Sequence, residues 1–281
     1  MNRLAVLGQP IAHSLSPAMH TAALRALGMD GEWSYEAIEL SPGEFATGVG
    51  ELRERGFVGA NVTVPHKEAA LALSDRSSDA AAAIGAANTL SFTEDGVVAD
   101  NTDAPGLIAS LPEDPRGRKA LVLGAGGAAR AAIWALAGAG AEVSVHNRTE
   151  ARGQAVAAEL GADFLRSLGD SLPLEAFEIV VNATSIGLAG GLPPAQAPLD
   201  ALKALGVAAD RFSDRQVVVD LVYGTTPTEL IQAARSAGAT VVDGLEILIR
   251  QGAESFRIWT GTEAPVEAMR AAIEKSSDGH A

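Results

Sequence analysis

Short apolar runs bounded by Gly, Pro, Asn and Asp alternate with longer segments of helical periodicity along most of this chain. That alternation predicts an α/β protein with largely parallel sheets. It is clearest over residues 119–149, KALVLGAGGAARAAIWALAGAGAEVSVHNRT. Residues 120–123 are apolar without alternation, as a strand covered on both faces requires. The stretch 128–139 is rich in Ala and free of Pro, which favours helix, and Gly138 and Gly140 close it. A second β-branched run follows at 142–146. Strand, glycine turn, helix, strand is half of a doubly wound nucleotide-binding sheet.

The same reading predicts strands over 3–8, 33–40, 59–64, 88–92, 97–100, 178–182, 216–222 and 240–243. Helices are expected over 17–27, 42–55, 67–73, 77–87, 103–110, 150–160, 228–237, 244–259 and 265–275. Asp95-Gly96 turns the hairpin 88–92/97–100. Pro65 ends the hydrogen-bonding ladder of the third strand. Residues 112–118, with Pro, Glu, Asp and Gly, read as the linker, 190–198 as a loop and 276–281 as a frayed tail. No repeat of fixed period is present.

Composition narrows the partners. At 281 residues the chain suffices for two domains, and 47% hydrophobic content supplies their cores. Lys+Arg 21 against Asp+Glu 35 gives a net charge of −14, which argues against nucleic acid and anionic membranes. An anionic substrate must therefore be captured by local donors. The absence of cysteine excludes disulfides, thiol nucleophiles and thiolate metal sites, and fits a cytoplasmic protein. The five histidines, at 13, 20, 66, 146 and 280, show no compact ligand spacing, so no metal is expected. The opening MNRLAVLGQP has too short an apolar run for a secretory signal. The long apolar tract 120–145 is a poor membrane span, interrupted by glycines, Arg130 and Glu142.

Candidate chemistry gathers at the ends of the strands. Gly124 permits a tight turn, Gly126 has no Cβ to block a pyrophosphate, and Ala129 stands where a third glycine is usual. The N–H groups opening the helix at Gly127 and Ala128, after Ala125, are suited to phosphate. An NAD site wants Asp or Glu at the end of the second strand. Here Asn147, Arg148, Thr149 and Arg152 offer two cations, which suit a 2′-phosphate or are solvated surface charges. Earlier in the chain, Ser14 and Ser16 flank a strand-to-helix junction. Ser16 before Pro17 reads as an N-cap as readily as a carboxylate ligand. Lys67 follows a strand end, a place where ligands gather, but also suits a surface helix start. Asp103 fits an N-cap or a catalytic carboxylate. Gly244, Leu248 and Gln251 share one helix face.

In order, the segments His13-Ser14-Leu15-Ser16-Pro17, NVTVPHK (61–67), GAANTL (85–90), Asn101-Thr102-Asp103, the glycine turn 124–131, Asn147-Arg148-Thr149-x-x-Arg152, 182–187, Asp220-x-x-Tyr223 and 244–251 with Phe256 and Trp259 resemble the shikimate dehydrogenase family over nearly the whole chain. The resemblance implies NADP-linked reduction of 3-dehydroshikimate to shikimate. It implies an N-terminal α/β substrate domain over 1–110, a Rossmann-type doubly wound nucleotide-binding domain over 111–245, and C-terminal helices, 246–281, returning to the first. Ser14 and Ser16 would hold the substrate carboxylate. Thr63, Asn88, Asp103 and Gln251 would hold its hydroxyls, Tyr223 would add a contact, and Lys67 with Asp103 would handle the proton. On the NADP(H) side the resemblance points to Asp79, Gly124, Ala125, Gly126, Gly127, Ala128, Asn147, Arg148, Thr149, Arg152, Thr184, Ser185, Leu221 and Gly244. It implies a cytoplasmic monomer or homodimer acting on a small molecule. Three positions depart from the family pattern. Ile247 and Leu188 stand where Met is frequent, and Thr225 where Pro is common.

Overall fold

The strands of the described residues fall into two six-stranded sheets. Each sheet belongs to one of two units, Met1–Gly106 with Leu248–Ala281, and Leu107–Ile247. The computed structural model describes residues 1–167, 171–187, 200–224 and 226–278. Leu188, Thr225, the expected loop 190–198 and the end of the expected tail lie outside them.

The first sheet is built from β1 (Asn2–Gly8), β2 (Trp33–Glu39), β3 (Phe57–Val62), β4 (Arg76–Ser77), β5 (Thr89–Thr93) and β6 (Gly96–Asp100), in the order β2-β1-β3-β5-β6-β4. β1 runs parallel to both β2 and β3, while β5 is antiparallel to β3 and β6. Helices α1 (Ser16–Ala26), α2 (Phe45–Glu54), α3 (Lys67–Ala72), α4 (Asp79–Ile84) and α5 (Asp103–Ser110) connect these strands or follow them. The register decides where the loops emerge. Leu7 stands opposite Val62, Asn61 opposite Thr89, and Thr89 opposite Asp100. The chain after β1, after β3, before β5 and after β6 therefore leaves the sheet at one end. That end carries Ser14, Thr63, Lys67, Asn88 and Asp103.

The second sheet is wholly parallel. Its strands β7 (Lys119–Leu123), β8 (Glu142–His146), β9 (Asp163–Phe164), β10 (Ile179–Asn182), β11 (Val217–Asp220) and β12 (Thr240–Val242) lie in the order β12-β11-β10-β7-β8-β9. This is the doubly wound order, which reverses direction between β7 and β10. Residues 120–123 and 179–181 are buried, as expected of strands covered on both faces. The unit's helices are α6 (Gly127–Gly138), α7 (Glu150–Leu160), α8 (Ala201–Leu205) and α9 (Glu229–Ser236). The chain ends with α10 (Gly244–Thr260) and α11 (Val266–Asp278). The latter packs on α1, so the C-terminal segment completes the first unit.

The docking of α10 in that unit depends on one missing side chain. Trp259 Nε1 donates to the Leu90 carbonyl at 3.1 Å. A Cβ on Gly59 would stand 2.3 Å from that nitrogen and 2.4 Å from that oxygen. We expect Gly59→Ala to lower stability by about 1–3 kcal/mol, the usual cost of overpacking. The urea unfolding midpoint measures it, and an unchanged midpoint would show that the indole moves aside freely.

Four expectations need correction. The chain crosses between units at Gly106/Leu107, within α5, and again at Ile247/Leu248, within α10, rather than at 112–118. That stretch is a surface loop, with Arg118 held by Glu113 and Glu178; polar composition marks loops and linkers alike. The helix expected over 77–87 is only Asp79–Ile84, capped by Ser78 and stopped by Gly85 at φ 75°. Ser16 is the first helical residue rather than the cap, which falls on Leu15. Residues 276–278 continue α11 rather than fraying. The elements β4, β9 and α8 are too short to show a period in sequence.

Candidate active site

The end of the first sheet brings a cation and a carboxylate together. Lys67 opens α3, at a helix N-terminus where its charge is unfavourable to the macrodipole. Its Nζ donates to Asp103 Oδ2 at 2.6 Å, and both side chains are 14% exposed. Both partners are secluded, unlike those of exposed pairs such as Arg76–Asp95 and Arg116–Asp114. The turn before Lys67 is fixed by His66, whose Nε2 lies 2.7 Å from the Leu40 carbonyl and whose ring stacks on Phe45 at 4.3 Å.

The two readings of Asp103 separate at its neighbour. Asn101 Oδ1 accepts from the Ala104 N–H at 3.2 Å and so takes the capping role at α5. Asp103 is left to face Lys67. Its second oxygen, Oδ1, accepts from Asn88 Nδ2 at 2.8 Å. Asn88 Nδ2 also lies 2.9 Å from Thr102 Oγ1 and 3.2 Å from Gln251 Oε1, while its Oδ1 accepts from the Thr102 N–H at 2.7 Å. Lys67, Asp103, Asn88 and Gln251 are thus one connected group.

Beneath them runs a buried polar layer. Ser255 Oγ lies 2.8 Å from Asn61 Nδ2, 2.9 Å from Thr89 Oγ1 and 3.0 Å from Thr102 Oγ1. Tyr35 OH donates to Asn61 Oδ1 at 2.7 Å. A satisfied network of this kind holds the groups above it in one arrangement. Sequence reasoning does not mark Asn61, Thr89, Thr102 or Ser255 as site residues. Asn61, an amide at the end of a buried strand, and Ser255, one turn beyond Gln251, are the available signals.

Ser14, Ser16 and Thr63 lie at the same end of the sheet but are not hydrogen-bonded into this group. Ser14 Oγ accepts from the Ser16 N–H at 3.3 Å, and Ser16 is buried. Thr63 presses its methyl toward Gly8, where a Cβ would stand 2.5 Å from it. Asp79 is exposed in the first turn of α4, a position that favours an acid in any helix.

The second unit carries the glycine turn. Gly124 adopts φ 117°, and a Cβ there would meet the Ala183 carbonyl at 3.0 Å. Gly126, the N-cap of α6, has nothing within 4 Å of where a Cβ would stand. The N–H groups of Gly127 and Ala128 thus open beside a space that a side chain would fill. Arg152 Nε donates to the Ala125 carbonyl at 3.0 Å, tying α7 to the turn. Asn147 Nδ2 donates to the Thr149 carbonyl, and Arg148 is exposed. Glu150, the one carboxylate close by in sequence, is held by Arg166 at 3.0 Å. A cradle of backbone donors with two arginines on adjoining segments fits a phosphorylated dinucleotide.

Past the switch point, Thr184, Ser185 and Gly187 follow β10, and Leu221 and Tyr223 follow β11. Gly244 abuts the second segment: a Cβ there would stand 2.7 Å from the Val222 carbonyl oxygen and 3.0 Å from that of Leu221. Ile247 is buried in the core of this unit. The segments are held by Asp220, fully buried, with Asn182 at 2.9 Å and Thr228 at 2.5 Å.

Fold and site together define a two-unit α/β protein with a doubly wound nucleotide-binding half. The comparisons narrow this further. Residues 6–90 match the model of the shikimate dehydrogenase substrate binding domain, 107–188 that of shikimate / quinate 5-dehydrogenase, and 244–274 that of the shikimate 5′-dehydrogenase C-terminal domain. The shikimate dehydrogenase (NADP(+)) of Methanopyrus kandleri is 39% identical over 97% of this chain and 94% of its own. The structure of shikimate 5-dehydrogenase from Thermus thermophilus, in complex with NADP(H) and shikimate, superposes with a TM-score of 0.83 at 41% identity, covering 98% of this chain and 99% of that one. A 5-ketofructose reductase from Gluconobacter gives 0.81 at 31% identity, covering 98% of each chain. The chain belongs to the shikimate dehydrogenase family.

Proposed function

We propose that this chain catalyses the reversible, NADPH-linked reduction of 3-dehydroshikimate to shikimate, a step of aromatic amino-acid biosynthesis. The observation that carries the chemistry is the secluded Lys67–Asp103 pair, 2.6 Å apart and braced by Asn88 and Gln251. When bound, the cofactor supplies a hydride to the ring ketone. The ketone oxygen then gains negative charge and needs a proton. The Lys67 ammonium donates that proton and stabilises the developing alkoxide. Asp103 supplies the countercharge that fixes the ammonium and shares the adjacent hydroxyl. In oxidation the same lysine takes the proton back.

Ser14 and Ser16 hold the substrate carboxylate, and Thr63, Asn88, Gln251 and Tyr223 hold its hydroxyls and ring. The turn Gly124, Ala125, Gly126, Gly127 and Ala128 holds the pyrophosphate. Asn147, Arg148, Thr149 and Arg152 hold the 2′-phosphate, while Asp79, Thr184, Ser185, Leu221 and Gly244 meet the rest of the cofactor. The domain division proposed follows the two units: a substrate domain of Met1–Gly106, completed by Leu248–Ala281, and a nucleotide domain of Leu107–Ile247. The enzyme works in the cytoplasm as a monomer or homodimer on a small-molecule substrate, without nucleic acid or membrane. Among the described residues no helix is long and apolar enough to cross a membrane.

The direct test follows NADPH absorbance with 3-dehydroshikimate, and its formation from NADP with shikimate and with quinate, beside NAD(H). Oxidation of NADPH by 3-dehydroshikimate supports the reading, and its absence removes it. Quinate is the second reading. It carries a further hydroxyl on the carbon bearing the carboxylate, and the paired serines at 14 and 16 favour shikimate over it.

Cofactor choice gives a separate expectation. Arg148 is exposed, so its truncation leaves the fold intact, whereas Arg152 also braces the Ala125 carbonyl. Arg148→Ala should raise the KM for NADPH roughly tenfold, the value of a charge-assisted hydrogen bond. The KM for NADH should not move. An equal rise with both cofactors would take the 2′-phosphate away from Arg148.

A further inference from the structure

Asp220 ends β11 as a charged residue after three valines, with no solvent exposure. Burying a carboxylate is expensive, and the cost must be met by donors. Three are present, and each comes from a different segment. Asn182 Nδ2, at the end of β10, donates to Oδ1 at 2.9 Å. The Val222 N–H, just past β11, donates to the same oxygen at 3.0 Å. Thr228 Oγ1, the N-cap of α9, donates to Oδ2 at 2.5 Å.

The contacts continue outward. With its amide nitrogen on Asp220, Asn182 turns its Oδ1 to the Thr184 N–H at 3.1 Å and the Thr184 hydroxyl at 2.8 Å. The Thr184 hydroxyl oxygen accepts in turn from the Ile186 N–H at 3.1 Å. Asp220 therefore ends a relay that sets the turn 183–187 after β10 and the segment 221–223 after β11. These two segments also pack closely against neighbours that leave them little room. A Cβ on Gly187 would meet the Thr228 methyl at 3.2 Å, and one on Gly244 would meet the Val222 carbonyl oxygen at 2.7 Å.

We propose that Asp220 is a positioning residue for cofactor binding: its carboxylate locks the 183–187 and 221–223 segments together so that Thr184, Ser185 and Leu221 present one preformed surface. This rests on the reading above, in which those three residues meet NADP(H). Asp220 touches neither cofactor nor substrate and acts through Asn182, the Val222 amide and Thr228. A residue needed for packing alone could have been apolar, as the three valines before it are. Burial pushes its carboxyl up to about 6, against the lowering pull of its three donors, so it is ionised at neutral pH and holds them by charge-assisted bonds.

The test compares wild type with Asp220→Ala, Asp220→Asn and Thr228→Val. The readouts are NADPH affinity by fluorescence without substrate, KM for each substrate, kcat, and melting temperature. Asp220→Ala leaves three donors without an acceptor and should weaken NADPH binding about tenfold. KM for NADPH should follow, with kcat at saturation within about threefold of wild type. Asp220→Asn keeps an acceptor oxygen for Asn182 and Val222, and should restore most of the affinity. Thr228→Val removes one donor to Asp220 together with the α9 cap on the Ile231 N–H, so its melting temperature falls as well, and its NADPH affinity decides by the same measure if Asp220→Ala does not fold. A lowered melting temperature with NADPH affinity within about twofold of wild type overturns the proposal. Wild type that binds NADPH but leaves 3-dehydroshikimate unreduced overturns the reading of the substrate instead.

Discussion

Lys67→Ala should lower kcat by about 10²–10⁴, the usual contribution of a positioned proton donor, with little change in substrate affinity. Alanine removes the ammonium that faces Asp103 but leaves Asn88 and Gln251, which hold each other and the Asp103 carboxylate in place. The hydrogen-bonded group around Asn88 therefore survives the substitution. What is lost is stabilisation of charge that exists only as the hydride arrives, and such a loss falls on kcat and kcat/KM alike. Asp103→Asn separates the two roles. It removes the countercharge while keeping a hydrogen-bonding group of the same shape, so its loss should be smaller than that of Lys67→Ala. Steady-state kinetics in both directions, with shikimate affinity measured by calorimetry, checks the pair. Near-normal turnover in Lys67→Ala would assign the proton to another group.

The fold is legible where periodicity is long. Residues 119–149 announce strand, turn, helix and strand, and the structure has all four in place, with β7, α6 and β8 within a residue or two of expectation. The polar candidates at strand ends are legible for a different reason. Lys67 and Asp103 each follow a strand and Asn88 precedes one, and because β5 runs antiparallel to β3 and β6 all three come to one end of the sheet. Their mutual distances are not legible, because they depend on pairings between residues far apart in sequence, such as Asn88 with Gln251. Nor is the linker: a helix that crosses between two units looks in sequence like any other helix. The buried Asn61–Ser255 layer escapes notice because a Ser or Asn inside an apolar pattern reads as a tolerated exception until its partner is located. The same reasoning applies to His20. In sequence it is one of five histidines without metal spacing; in the structure it is the one buried beyond reach of any hydrogen-bond partner among the described residues.

His20 makes stability depend on acidity in a direction that can be worked out. It is fully buried in α1, stacks on Tyr35 at 4.2 Å, and neither ring nitrogen finds a hydrogen-bond partner among the described residues. Burial alone pushes its pKa from 6.5 down to about 3. The folded protein thus keeps His20 neutral while the unfolded chain takes up a proton below 6.5. Its contribution is fully present above that pH and is lost as pH falls toward about 3, reaching a loss of about 2–3 kcal/mol near pH ~4.5. Asp220 opposes this. Its carboxyl is raised to about 6 from 3.8, so protonation favours the folded state, fully below 3.8 and not above about 6. Over the same interval Asp220 adds about 2 kcal/mol, which masks His20 in the wild type. His20→Phe retains a ring beside Tyr35 and removes the titration. Its urea midpoint, compared with wild type at about pH 7 and again near pH ~4.5, should therefore improve relative to wild type on acidification. Two midpoints that fall in parallel would mean that the imidazole reaches water or a partner in the folded protein.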